Sequence, residues 1–279
     1  MNHRSPATTE PAWVRRLLIA GALASVGLLL VAPLAVVFAE ALRDGLRAYV
    51  AALREPEALA AMRLTALTVV LVVPVNLIAG VAAGWALGKF EFRGKSLIAS
   101  LIDLPISVSP VVAGMLFVLL FGRTGFFRPL ADSLGLKILF APPAIVLATL
   151  FITFPYVARE LIPTMQALGT EEEEAAHVLG AGFFQILRRV ALPNALSALL
   201  YGLLLTTARS AGEFGAVSVV SGHVRGETNT LPLEVEILYN EYHYSAAFAV
   251  ASVLTGLALL TLLLRVFLER RAGPLRRVP

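Results

Sequence analysis

Residues 17–39 read LLIAGALASVGLLLVAPLAVVFA, 23 positions without a charge, set between Arg15-Arg16 and Glu40. A helix rises 1.5 Å per residue, so a hydrocarbon core of about 30 Å takes roughly 20 apolar residues to cross. This run is long enough. Five further blocks have similar length and polarity: 64–87, 97–121, 138–157, 195–220 and 247–267. Lipid offers no partner for backbone N–H and C=O, so each block is expected to be helical. The period-two alternation of a membrane strand is absent from them, which disfavours a β-barrel.

Composition agrees. The 279 residues are 58% hydrophobic and 15% charged, with a mean hydropathy of +0.80. Soluble domains carry about 25% charged residues. The absence of cysteine excludes a disulfide framework, an Fe–S cluster and Cys-ligated zinc. The four histidines, His3, His177, His223 and His243, have no helical metal-ligand spacing, and no metal or cofactor is expected. The net charge of +4 reflects basic residues that flank apolar blocks, so nucleic acid is not implied.

Ala39-Glu40-Ala41 has the small-x-small form of a signal cleavage site. The preceding run is longer than the roughly 7–15 residues of a signal core, so a retained first helix is expected. Lys and Arg then set orientation. With the N-terminus inside, the inner segments hold 13 of them: Arg4, Arg15, Arg16, Lys89, Arg93, Lys95, Arg159, Arg188, Arg189, Arg270, Arg271, Arg276 and Arg277. The outer loops hold 7: Arg43, Arg47, Arg54, Arg123, Arg128, Lys137 and Arg225. This bias puts both termini in the cytoplasm.

Pro74, Pro105, Pro110, Pro142, Pro143 and Pro155 fall within the blocks. Each removes a backbone donor and disturbs the preceding turn, so these faces should meet protein or a wet path. Kinked packing and a transport path both satisfy that demand.

Residues 158–194 form the longest inner segment. Thr170 with Glu173 has the spacing of a capping box, and Glu171 to Glu174 fill a first turn that favours negative charge. Gly180 permits a turn or a close approach. Phe183, Phe184, Ile186 and Leu187 form an apolar face beside Arg188-Arg189, and Pro193 closes the segment. Two short helices at a bend follow. Consecutive glutamates suit an anionic lipid surface poorly, and a docking surface for a cytoplasmic protein fits better.

Here the chain resembles the importer permeases of the ATP-binding-cassette superfamily. Their loop signature is Glu-Ala-Ala, three residues, Gly, nine residues, then Ile-x-Leu-Pro. This sequence has Glu174-Ala175-Ala176, Gly180 and Val190-Ala191-Leu192-Pro193, with valine for isoleucine the one departure. The resemblance implies an all-α membrane protein of six transmembrane helices with a cytoplasmic coupling-helix loop. It implies that Glu174, Ala175, Ala176, Gly180, Leu192 and Pro193 seat in separate ATPase subunits. Gly94-Lys95-Ser96 ends like a phosphate-binding loop, but five residues separate it from Gly88 where four are required, and two membrane blocks flank it. The chain itself is expected to be no enzyme.

Two further stretches, Leu101–Gly114 and Gly212–Leu233, resemble sulfate and thiosulfate permeases and, more loosely, molybdate permeases. The resemblance implies a second homologous permease, a periplasmic sulfate-binding protein and a bacterial inner membrane. It divides the chain into a tail 1–16, a first helix 17–39, a periplasmic loop 40–63, a permease core 64–267 and a tail 268–279. Molybdate or tungstate is the rival cargo. An ion-gradient carrier would leave the docking loop unexplained and would show internal repeats, which are not evident.

Arg209 and Glu213 stand four apart within 195–220, so they share a helical face. Charges inside a membrane are costly and mark functional candidates. They also fit a neutralised pair fixing this block against 97–121, where Asp103 is available. Ser107, Ser109, Thr206, Thr207, Ser210 and Ser218 are candidate donors to an oxyanion, while Gly212 and Gly215 let backbones approach. In the outer loop 221–246, Leu231, Val235, Leu238 and Tyr242 recur at helical spacing, with Glu234, Glu236 and Glu241 on other faces.

Overall fold

The computed structural model describes residues 11–271. The expected tails 1–16 and 268–279 lie largely outside them; 12–16 and 268–271 are helical. The described residues contain helices and no strand. In chain order they are α1 (Trp13–Ala41), α2 (Leu46–Arg54), α3 (Pro56–Lys89), α4 (Lys95–Ser107), α5 (Pro110–Phe121), α6 (Arg128–Ser133), α7 (Pro142–Thr153) and α8 (Pro155–Ala167). There follow α9 (Glu171–Val178), α10 (Phe183–Asn194), α11 (Leu196–Ala211), α12 (Gly215–Val220), α13 (Leu231–Asn240) and α14 (Tyr244–Arg271). Single crossings are made by α1, α3, the α7–α8 rod and α14, and two bent pairs bring the total to as many as six.

Block 97–121 is one of the bent pairs: α4 and α5 meet at 105°. Val108 and Ser109 are extended between them, at φ −89°, ψ 136° and φ −57°, ψ 134°. Pro110 accounts for Ser109, because its ring pushes the preceding residue out of the helical region. Taken together, the two halves are long and apolar enough for one passage. Ile102 of α4 packs with Leu87 and Ala158, whereas Ala113 of α5 packs with Val220, Leu64 and Leu233 at the opposite end. Pro142 and Pro143, in contrast, occupy the first turn of α7, where no donor is lost. Pro155 marks the joint between α7 and α8.

Glycine fixes the closest helix contact. A Cβ on Gly80, Gly84 or Gly88 would lie 2.5, 2.6 or 2.5 Å from the Cβ of Val157, Leu161 or Met165. These small residues, four apart, let α8 lie directly against α3, and dispersion is then gained along the whole contact.

Several boundaries differ from expectation. The rod α7–α8 starts at Pro142, not 138, and continues past 158 to Ala167. Arg159, read as the start of a loop, stays on the helix because Asp103 neutralises it at 3.3 Å. The loop 40–63 is mostly helical: α2 occupies its middle and α3 begins at Pro56. Block 195–220 divides at Gly212–Phe214 into α11 and α12. In the segment 221–246, α13 ends at Asn240, and Tyr242 lies beyond it at φ +65°. Glu234, expected on a face other than that of Leu231 and Val235, is buried in α13. Its Oε2 accepts from Asn229 Nδ2 at 3.2 Å. Burial pushes its carboxyl above the ordinary glutamate range, which the Asn229 bond opposes.

Candidate functional site

The loop signature folds into a defined surface. In α9 the chain ends on a Schellman cap: Gly180 N–H donates to His177 O at 2.9 Å and Ala181 N–H to Ala176 O at 3.0 Å. Gly180 holds φ +86°, and a Cβ there would meet nothing within 4 Å. The glycine is therefore required by backbone conformation, not by crowding within this chain. The exposed tip carries Val178 at 86%, Leu179 at 88% and Phe184 at 80% exposure. Apolar side chains this exposed call for a partner. Glu174 and Ala175 are exposed beside them, Leu192 is half-buried and Pro193 exposed.

The expected capping box is not formed. Thr170 Oγ1 donates to Glu174 Oε1 at 2.7 Å, and Glu173 instead pairs with Lys89 at 2.7 Å. The ammonium outbids a neutral N–H for the carboxylate. Asn194 Nδ2 donates to Glu172 Oε2, so the acidic turn is tied to the far end of α10. Ile186 and Ala191 of α10 pack with Trp85, Val157, Leu161 and Met165. α10 then turns by 79° into α11.

Deeper in the bundle, Arg209 Nη2 lies 2.9 Å from Glu213 Oε2. Glu213 is 1% exposed, and its Oε1 accepts the Ala216 N–H at 3.0 Å, at the start of α12. One carboxylate thus neutralises Arg209 and holds the α11–α12 break. The Arg209 side chain keeps 35% exposure. Asp103 does not join this pair. It binds Arg159 across α4 and α8, both about half exposed. Gly215 permits a close approach, since its Cβ would lie 2.8 Å from Pro110 Cβ; Gly212 does not, with Ala208 O the nearest atom at 3.5 Å.

The hydroxyls divide. Ser107 and Ser109 are exposed at the α4–α5 break. Thr207 and Ser218 are half-buried and bond the carbonyls of Leu203 and Gly215 at 2.8 and 3.0 Å. Thr206 and Ser210 are buried, and Ser210 Oγ reaches Thr153 Oγ1 at 3.4 Å. Thr153 also accepts from Asn76 Nδ2 at 2.7 Å. Asn76 and Thr153 were not singled out from the sequence, because single polar residues in apolar blocks carry no spacing signal; Arg159 was read only as an inner charge, and its pairing with Asp103 was not read.

With this geometry in hand, residues 80–273 match the family described as the binding-protein-dependent transport system inner membrane component. The chain belongs to that family. This permease is 47% identical over 261 residues to the sulfate transport system permease protein CysW of Synechococcus elongatus, covering 94% of this chain and 91% of the relative. It is 33% identical over 251 residues to the sulfate transport system permease protein CysT of Escherichia coli K12, covering 90% of each. A bacterial alginate ABC transporter, solved with an alginate-bound periplasmic protein, contains a chain of the same fold. It has TM-score 0.76 and 15% identity, and the match covers 94% of this permease and 96% of that chain. The permease is thus a pore-forming, multi-pass membrane subunit and not an enzyme.

Proposed function

We propose that this chain forms one half of the pore in an ATP-driven importer of sulfate or thiosulfate, with both termini cytoplasmic. Its partners are ATP-binding-cassette ATPase subunits, a second permease of similar sequence, a periplasmic sulfate-binding protein and the surrounding lipid. The observation that carries the cargo assignment is the 47% identity to a sulfate permease over 94% of the chain. ATP coupling is supported by the α9–α10 surface, whose glycine-capped bend presents exposed apolar residues.

The polar residues suit a dianion that carries no proton. Arg209 and Arg159 each hold their own carboxylate, at 2.9 and 3.3 Å. Such a path offers guanidinium donors without the net charge that would trap a dianion. Asp103, Ser107 and Ser109 beside the α4–α5 break belong to the same candidate path. Selectivity between sulfate and molybdate or tungstate rests with the binding protein, because these tetrahedral dianions make similar hydrogen-bonding demands.

The test is co-purification with the ATPase and second permease, then ATP-dependent uptake of labelled sulfate into proteoliposomes with molybdate as competitor. Uptake driven by a proton gradient without ATP overturns the reading, and stronger competition by molybdate than by unlabelled sulfate reassigns the cargo. Orientation is separately accessible, since the chain has no cysteine. A cysteine at Ser133 should react with an impermeant maleimide from outside, and one at Leu179 only after permeabilisation.

A further inference from the structure

A lysine at the end of a membrane helix ordinarily extends its ammonium to water. Lys89, the last residue of α3, does the opposite. Its side chain is 4% exposed and its Nζ lies 2.7 Å from Glu173 Oε1, itself 14% exposed. The same ammonium donates to Gly169 O. Gly169, at φ +63°, is the turn between α8 and α9. One cation therefore joins the ends of α3 and α8 to the first turn of α9.

Besides the Asn194 bond to Glu172, which ties α9 to α10, the rest of α9 has little other hold on the bundle. It buries no residue fully, and Ala176 is its half-buried contribution to the apolar cluster around Trp85. Its far end, Val178 and Leu179, is bare. Beyond Lys89 the connection is stiff: the Gly80, Gly84 and Gly88 contacts clamp α3 to α8, so these helices cannot slide independently. An ion pair this buried also holds its geometry, because releasing either partner strands a charge away from water.

We propose that the Lys89–Glu173 pair is the strut that carries motion of the docked α9 into α3 and α8. Lys89 and Glu173 are then positioning residues for transport, touching neither anion nor nucleotide. The inference rests on the docking reading of α9–α10. It implies that breaking the pair lets the ATPase turn over without moving the pore.

The test uses the complete complex in liposomes, with ATPase, second permease and binding protein. Labelled sulfate imported per ATP hydrolysed is compared for the wild type, Lys89→Met, Lys89→Arg and the exchange Lys89→Glu with Glu173→Lys. The ratio should fall about tenfold in Lys89→Met, the size of a typical coupling energy between two sites. Lys89→Arg should stay near the wild type, and the exchange should regain part of the loss. A wild-type ratio in Lys89→Met overturns the strut. So does loss of the ATPase from both Lys89→Met and the exchange, which would make the pair part of docking itself. A wild-type chain that captures no ATPase defeats the docking reading, and the strut with it.

Discussion

Glu213→Ala removes one carboxylate with two duties, and the cost of each follows from its geometry. The first is the 2.9 Å pair with Arg209, whose acid is 1% exposed. Deleting one partner of a buried pair costs about 3–5 kcal/mol. Arg209 keeps 35% exposure, so water screens the stranded guanidinium and about 2 kcal/mol is the better figure. The second duty is accepting the Ala216 N–H at 3.0 Å where α12 begins, a capping interaction of about 1 kcal/mol. The sum, about 3 kcal/mol, should lower the melting temperature in detergent by at least about 6 °C. Glu213→Gln has a single acceptor oxygen, which can keep the Ala216 bond but not the charge facing Arg209, so it should spare only the capping part and cost about 2 kcal/mol. Arg209→Ala leaves the Ala216 bond in place. It strands the Glu213 carboxylate, 1% exposed, so it should cost about 3–5 kcal/mol and melt no higher than Glu213→Ala, while sulfate uptake by the assembled complex falls about tenfold or more. Equal melting of Glu213→Ala and the wild type would refute the pairing-and-capping argument. Full uptake by Arg209→Ala would refute the path argument independently.

Gly180→Trp should abolish ATPase co-purification while leaving the membrane-embedded part folded. The site is open, but φ +86° costs an L-residue about 1–2 kcal/mol and the Schellman cap is lost, as a pull-down would read. Gly84→Leu should fail to accumulate as folded protein, since even a Cβ lies 2.6 Å from Leu161 Cβ; monodisperse elution at wild-type yield would contradict this. Glu234 has its folded-state pKa raised, chiefly by burial. More protons are bound when folded, so its stabilisation is full below the ordinary glutamate pKa and is lost as pH rises through the raised value. Melting from about pH 4 to pH 8 should therefore decline less in Glu234→Gln than in the wild type.

The sequence by itself determined the helical membrane class, the approximate crossings and the glycine-capped bend proposed to dock the ATPase. Those follow from apolar run length and from backbone chemistry local in the chain: 17–39 must cross as a helix, and Gly180 must cap one. Charge placement served as a boundary signal only where charges meet water. It failed at Arg159, which Asp103 neutralises from another helix. The capping box failed for the same reason, because Lys89, 84 positions before Glu173, claims the carboxylate. Arg209 with Glu213 was legible because a spacing of four brings the two within reach; that Glu213 lies in the break after α11 and holds the start of α12 was not. Which polar groups are shared between helices, and so which carboxylate answers which cation, was decided only when tertiary packing brought distant residues within hydrogen-bond reach.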